Sequence, residues 1–350
     1  MVQLVTVSPC NEARPRSDSS SLVELADGRL LIVYHGYRAG PEGGGDFGDA
    51  AIFIRESADG GATWSDERVL LDVDPGDVNA MNPSLALIGD ELLLAVTRNH
   101  TRTDSSLELR RSADGGQTLG APSFIWQRCG EHRFTMYDCF RRLQDGRLLV
   151  MMQSSALIWE PGEKQWVDSY VSEDDGHTWT LQGGRIDLPM RGAMEPAVAQ
   201  MPDGELVCSL RTQLGRVFIT RSQDCGRTWQ LPQPSGPISP ESCTCLTLLP
   251  GTERLVLFWN GGTYVHDHHH FGERTPLSVA VSDDRGRTFR HVTDIESHPA
   301  GEYTNLTCRF LSDGRAALAY LAGIGEGRDV FNRACLSLKL ALLPRSLFTG

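Results

Sequence analysis

Five times in 350 residues the chain returns to the pattern S-x-D-x-G-x-T followed by a large apolar residue. The copies are SADGGATW from Ser57, SADGGQTL from Ser112, SEDDGHTW from Ser172, SQDCGRTW from Ser222 and SDDRGRTF from Ser282. Successive copies start 55, 60, 50 and 60 residues apart. A second repeat lies upstream of each, an Asp-Gly-type turn running into an apolar stretch: DGRLLIVY at Asp27, GDELLLAVT at Gly89, DGRLLVMM at Asp145, DGELVCSL at Asp203 and GTERLVLFW at Gly251. A sixth, DGRAALAY at Asp313, has no box after it. A unit of this length cannot bury its own apolar face, so the units must stack on one another.

The chemistry of the box is that of a tight turn. Ser and Asp side chains accept from backbone N–H groups that would otherwise need water. The Gly takes a positive-φ position without a Cβ clash, and the terminal aromatic or Leu is expected to hold the turn against its own sheet. D-x-D-x-G also resembles a calcium loop, but only two copies carry a second acid in phase, Asp175 and Asp283, and none has the Glu that would complete the ligand set. A structural turn is therefore expected, and no metal. Short β-type runs (AAIFIRE, LELRRS, SYVSE, VFITRS, LSVAVS) lead into the boxes. Periods near 55 residues with about four short strands each read as propeller blades. The expectation is an all-β chain, one six-bladed β-propeller over residues 1–350, with VQLVTVS and ACLSLKLALL sharing the last blade and closing the ring.

Charge and composition narrow the partners. A formal net charge of −12 with no basic block argues against nucleic acid. No window approaches a membrane-spanning apolar run. The opening residues lack a basic segment followed by an apolar one, which points to a cytoplasmic protein. The nine cysteines, at positions 10, 129, 139, 208, 225, 243, 245, 308 and 335, are odd in number and lack zinc spacing, so free thiols are expected.

The five boxes resemble the Asp-box repeats of the sialidase (neuraminidase) superfamily, and the resemblance extends over nearly the whole chain. It implies a retaining exo-glycosidase that removes a terminal sialic acid or related acidic sugar, with no cofactor. In that family a tyrosine serves as nucleophile. An anionic nucleophile would be repelled by the carboxylate on the anomeric carbon of the substrate, whereas a neutral phenol activated by a nearby Glu would not. Arginine forks suit the substrate carboxylate.

Residue by residue, DFGDAAIFIRESADGGATW is similar to the family's run before the first box and makes Asp46 the acid/base, with Asp49 a structural neighbour. MEPAVAQMPDGELVCSLR is similar to the fourth-blade entry, which makes Glu195 the activator of the tyrosine and Arg211 a carboxylate clamp. Arg274 in GERTPLSVAVSDDRGRTF stands where a later clamp arginine stands, and GEYTNLTCRF makes Tyr303 the nucleophile. The first clamp motif differs here. The region reads NEARPRSDSSSLVELADG, so Arg16 or Arg14 takes that part, Arg16 being preferred despite the negative charge at Asp18. Arg38 in YHGYRAG resembles an additional pocket arginine.

The run YVHDHHHFGERTP brings His266, His268, His269 and His270 close to Arg274, where a pocket-rim role is expected rather than a metal site. Two other functions stay open at this level. One is the same propeller acting as hydrolase or lyase on a different, uronate-type carbohydrate, and the other is a non-catalytic glycan-binding propeller.

Overall fold

A computed structural model of the chain describes residues 2–127, 132–155, 162–266, 269–325 and 335–350. Cys129 and His268 lie outside the described residues, as do the side chains of Cys139 and His269. Each apolar stretch after an Asp-Gly turn forms the second strand of an antiparallel sheet, and six such sheets stand around one axis. A strand β1 (Gln3–Ser8) precedes the first blade, which holds β2 (Arg16–Glu24), β3 (Leu30–Tyr37), β4 (Ala50–Ser57) and β5 (Arg68–Leu71). The second holds β6 (Asn79–Ile88), β7 (Glu91–Asn99), β8 (Ser105–Ser112) and β9 (Ser123–Trp126). The third holds β10 (His132–Arg142), β11 (Leu148–Ser155), β12 (Gln165–Ser172) and β13 (Thr180–Leu181). The fourth has three strands, β14 (Met194–Gln200), β15 (Leu206–Arg211) and β16 (Phe218–Ser222), with isolated bridges from Arg216 to Ile238 and Ile219 to Gln233 in place of a fourth. The fifth holds β17 (Cys245–Leu248), β18 (Leu255–Asn260), β19 (Leu277–Ser282) and β20 (Arg290–Glu296). The sixth is built from β21 (Gly301–Phe310), β22 (Ala316–Ile324) and β23 (Ser337–Leu343), with β1 as its outer strand. The expected six-bladed propeller and its shared last blade are thus what the chain forms.

The boxes are structural turns. In the first, the Ser57 hydroxyl donates to Asp59 Oδ1 at 2.8 Å and accepts from the Gly61 N–H at 2.9 Å. Asp59 in turn accepts from the Thr63 N–H at 2.9 Å and hydroxyl at 2.6 Å. The same four bonds recur in the other boxes, for instance around Asp174. Those bonds, the Thr63 hydroxyl foremost, lower the Asp59 carboxyl to about 2.

One detail departs from expectation. The terminal residue of each box packs into the seam between its own blade and the preceding one, rather than against its own sheet alone. Trp64 joins the core between blades six and one, Leu119 that between one and two, and Trp179 that between two and three. Phe289 joins the core between blades four and five. Trp229 donates across its seam to Ser169 Oγ of blade three at 2.7 Å. The box glycines show why the fit is close: a Cβ on Gly61 would stand 3.0 Å from Leu340 of the sixth blade.

The sixth blade has no box, and the chain end takes its place. After β23 the turn Arg345–Phe348 carries the fully buried Phe348 into the last seam, edge-on to Phe258 at 6.3 Å and to Phe310 at 5.5 Å. Arg254 of blade five donates to the Phe348 carbonyl at 2.6 Å. The ring is closed a second way, and here the expectation of free thiols is corrected. Cys10 and Cys335, 325 residues apart, form a disulfide with their Cα atoms 5.3 Å apart. They meet because β1 pairs with β23, a proximity that spacing along the chain cannot reveal. Cys208, Cys225, Cys243, Cys245 and Cys308 are free thiols, as expected.

The innermost strands share one irregularity that matters for function. Five of them carry a register shift, and within each shift one non-glycine residue has positive φ: Ser19, Asn82, Asp138, Glu195 and Asn305. Such bulges re-aim side chains and recur beside active sites. All five of these residues are polar or acidic.

Candidate active site

At the start of β2, Arg16 is buried and engaged on every side. Its Nε donates to Asp18 Oδ2 at 2.8 Å, and its Nη1 to Asp46 Oδ1 at 2.8 Å and to the Gly44 carbonyl at 2.9 Å. The guanidinium also lies 4.8 Å from the centre of the Tyr37 ring. Asp18 is therefore the ion partner of Arg16, and its other oxygen accepts from Asn305 Nδ2 of the neighbouring sixth blade at 2.6 Å. Asp46 sits on the loop between β3 and β4 with its side chain 38% exposed. That loop is tethered by Asn79 Nδ2, which donates to the Asp46 and Gly48 carbonyls, each at 3.0 Å. Arg14 instead pairs with Glu67 at 3.0 Å and stacks 3.7 Å over Phe53, so Arg16 is the arginine that meets Asp46. Arg38 pairs with Asp49 at 3.2 Å and Asp72 at 2.6 Å on the outside of this group.

The facing group is built on blades three to six. Glu195, the second residue of β14, has φ 44°, and its N–H donates to Gln153 Oε1 at 2.6 Å. Arg211, at the end of β15, holds Glu195 Oε1 at 2.6 Å and Glu241 Oε1 at 3.0 Å. The second oxygen of Glu195, Oε2, is buried without a hydrogen-bond partner. Glu241 also takes Arg191 at 2.8 Å, and Arg191 reaches Glu163 at 2.8 Å. Burial opposes the charge on Glu241, but Arg211, His270 and Arg191 hold it well below the usual carboxylate range. His270, itself in a left-handed conformation, places Nδ1 3.3 Å from Arg211 Nη2, and burial together with Arg274 keeps it neutral. Among the described side chains of the histidine run, His270 meets this ionic group, while His266 lies against Phe271 at 6.0 Å.

Arg274 precedes β19 and is buried, donating to Glu302 Oε1 at 3.1 Å and to the Glu241 carbonyl at 3.2 Å. Its own carbonyl accepts from the Tyr303 N–H at 3.1 Å and from Asn260 Nδ2 at 2.8 Å, which fixes the backbone it leaves from. Burial pushes the Glu302 carboxyl up from its ordinary value, opposed by Arg274.

The structure therefore brings together Asp46 with Arg16, Glu195 with Arg211, and Arg274 with a residue not anticipated, Glu302. Tyr303 stands apart from them. Side chains alternate along β21, and the phase puts Glu302 on the ionic side and Tyr303 in the inter-blade core. The Tyr303 ring meets Tyr320 edge-on at 6.3 Å, and a Cβ on Gly301 would stand 2.6 Å from its hydroxyl. Burial, then Glu296, raise its phenol above the ordinary value. Glu241, Arg191 and Glu163 also went unread in the sequence. Their one signal is a charged residue at the mouth end of a blade, as in SPESCTC.

Beside Glu195 lies a small cavity of about 10 Å³, room for a single water, bordered by Glu195, Asp138, Arg141, Thr244 and Leu306. Asp138 is held there by Arg309 and, at 3.2 Å, by Arg141. The whole is a ring of carboxylates and guanidiniums at one end of the axis, suited to hydrogen-bonding a polyhydroxylated ligand and to moving protons.

Comparison with known proteins agrees with this architecture. A Dyadobacter fermentans protein of unknown function superposes with a TM-score of 0.73 at 17% identity, over 98% of this chain and 99% of its own. Trypanosoma rangeli sialidase superposes with a TM-score of 0.73 at 17% identity, over 99% of this chain but 60% of the enzyme. The NanB sialidase of Streptococcus pneumoniae gives 0.74 at 13% identity, over 99% of this chain and 71% of the enzyme. At these identities the likeness shows the sialidase fold alone. No curated protein matches the sequence. The BNR repeat-like domain matches residues 28–306, most of the propeller, and the chain belongs to that family.

Proposed function

We propose that the axial pocket hydrolyses the glycosidic bond of a terminal sugar. The observation that carries this reading is the state of Glu195. Its backbone is held in a left-handed conformation, one carboxylate oxygen is pinned by Arg211 at 2.6 Å, and the other is buried with no partner. Strain of this kind persists where the surroundings over-determine it, characteristically at functional sites. An oriented, unsatisfied carboxylate oxygen is a proton acceptor in waiting. Glu195 takes a proton from the attacking water, and Asp46, on its loop between β3 and β4, gives a proton to the leaving oxygen. Overall one water adds across the bond: its oxygen goes to the anomeric carbon and a proton to the departing aglycone. The glycosidase and carbohydrate-binding character of the solved sialidases of this fold supports the reading.

The test is hydrolysis of a panel of fluorogenic glycosides by the wild type, Glu195→Gln and Asp46→Asn. Removing either proton-transfer group should lower kcat about 10²–10⁴-fold on the substrate that the wild type cleaves. Wild-type rates in both variants, with the fold intact by circular dichroism, would overturn the assignment.

A further inference from the structure

We propose that the sugar recognised at the axial mouth carries no carboxylate, an inference that rests on the glycosidase reading above and names its substrate class. It follows from how the guanidiniums are engaged. A carboxylate clamp needs guanidinium forks whose donors are open to the ligand. Here Arg16 is taken by Asp18 and Asp46, Arg211 by Glu195 and Glu241, Arg191 by Glu163 and Glu241, and Arg274 by Glu302. Four guanidiniums thus face six carboxylates among the described residues. Leaving Glu302 aside, five carboxylates still outnumber the four guanidiniums. His270 adds no compensating charge, because burial keeps it neutral. Farther along the inner strands, Arg309 and Arg141 are both committed to Asp138, and Arg141 also donates to the Val198 carbonyl at 3.2 Å.

An incoming carboxylate would have to expel a carboxylate of the protein from a buried ion pair, leaving that charge buried and unpaired. A neutral sugar meets no such barrier. Its hydroxyls donate to the acidic oxygens, above all to Glu195 Oε2. The acid next to Tyr303 in the chain fits as well. Glu302, rather than Tyr303, faces the ionic group, and its pairing with Arg274 occupies a guanidinium that a substrate carboxylate would need.

Two measurements test this. The first compares turnover of 4-methylumbelliferyl glycosides of neutral aldoses and 6-deoxy sugars with that of the sialoside and the glucuronide. Preference for a neutral glycoside by about tenfold or more is expected, the value of one charge-assisted contact. Faster turnover of the sialoside or glucuronide overturns the inference while upholding the glycosidase reading. Turnover of nothing in the panel overturns the glycosidase reading and leaves the charge question to the second measurement. That is calorimetric titration with glucuronic acid and its uncharged isostere, glucuronamide. The acid is expected to bind no more tightly than the amide, or not at all, and a preference for the acid of about tenfold or more overturns the proposal.

Discussion

Glu302 and Tyr303 are consecutive in the chain and belong to different environments: the carboxylate of one is paired with Arg274 at 3.1 Å, while the ring of the other packs against Tyr320 in the inter-blade core. Their substitutions should separate cleanly. Glu302→Gln should lower kcat about 10²-fold or more if the carboxylate works beside the substrate. Tyr303→Phe keeps the ring and should leave kcat within about threefold, with a stability change of about 1 kcal/mol. Steady-state kinetics on the cleaved glycoside decide the matter, and loss of activity in Tyr303→Phe with an unchanged Tm would restore the tyrosine as nucleophile.

The last seam makes a second prediction. Phe348 is fully buried between blades five and six, where the other blades use a box residue. Phe348→Ala should cost about 3–5 kcal/mol by the lost burial and the cavity left behind. Denaturant titration measures it. A change under about 1 kcal/mol would mean that the chain end does not seal the ring.

A third concerns the disulfide. Cys10–Cys335 ties the strand β1, itself half exposed, to the blade it completes. Replacing both cysteines by Ser should lower stability by about 2–5 kcal/mol. Hydrogen exchange should show the loss concentrated first in Gln3–Ser8. Unchanged protection of that strand would contradict the proposed fastening.

His35 gives the pH dependence. Its Nδ1 accepts from the Asn82 N–H at 3.2 Å, and burial lowers its pKa to about 4 despite Asp18 nearby. The unfolded chain, with an ordinary value near 6.5, binds this proton first. Stability is therefore full above about pH 6.5 and falls as the pH drops toward 4, by on the order of 3 kcal/mol. Chemical denaturation of the wild type and His35→Gln across this range should show the slope flatten in the variant. Parallel slopes would remove His35 as the source.

Much of this architecture is legible in the residues. The six turn-and-strand units give the blade count, and the five boxes mark five of the blades because a turn that bonds its own side chains is specified locally, within eight residues. The ends of strands are equally readable, so Asp46, Glu195, Arg211 and Arg274 each stand in an ionic contact near a strand end. Tyr303 does not, because the phase of alternation along β21 is set by its pairing with β22 and by the bulge at Asn305, neither of which is local. Glu241 and Arg191 escape notice for a related reason: each matters through a partner on a different blade. The Cys10–Cys335 bond and the place of Phe348 depend on ring closure, which only the folded chain displays.

The left-handed residues of the five inner strands have a consequence for how such a protein can change. Each bulge confines its irregularity to a few residues, and regular pairing resumes on either side. Ser19, Asn82, Asp138, Glu195 and Asn305 are therefore five addresses around one axis at which a side chain can be exchanged while the blades that carry it stay in register. A lineage built on this ring can alter what it binds one address at a time, and its chemistry can drift far while its outline stays still.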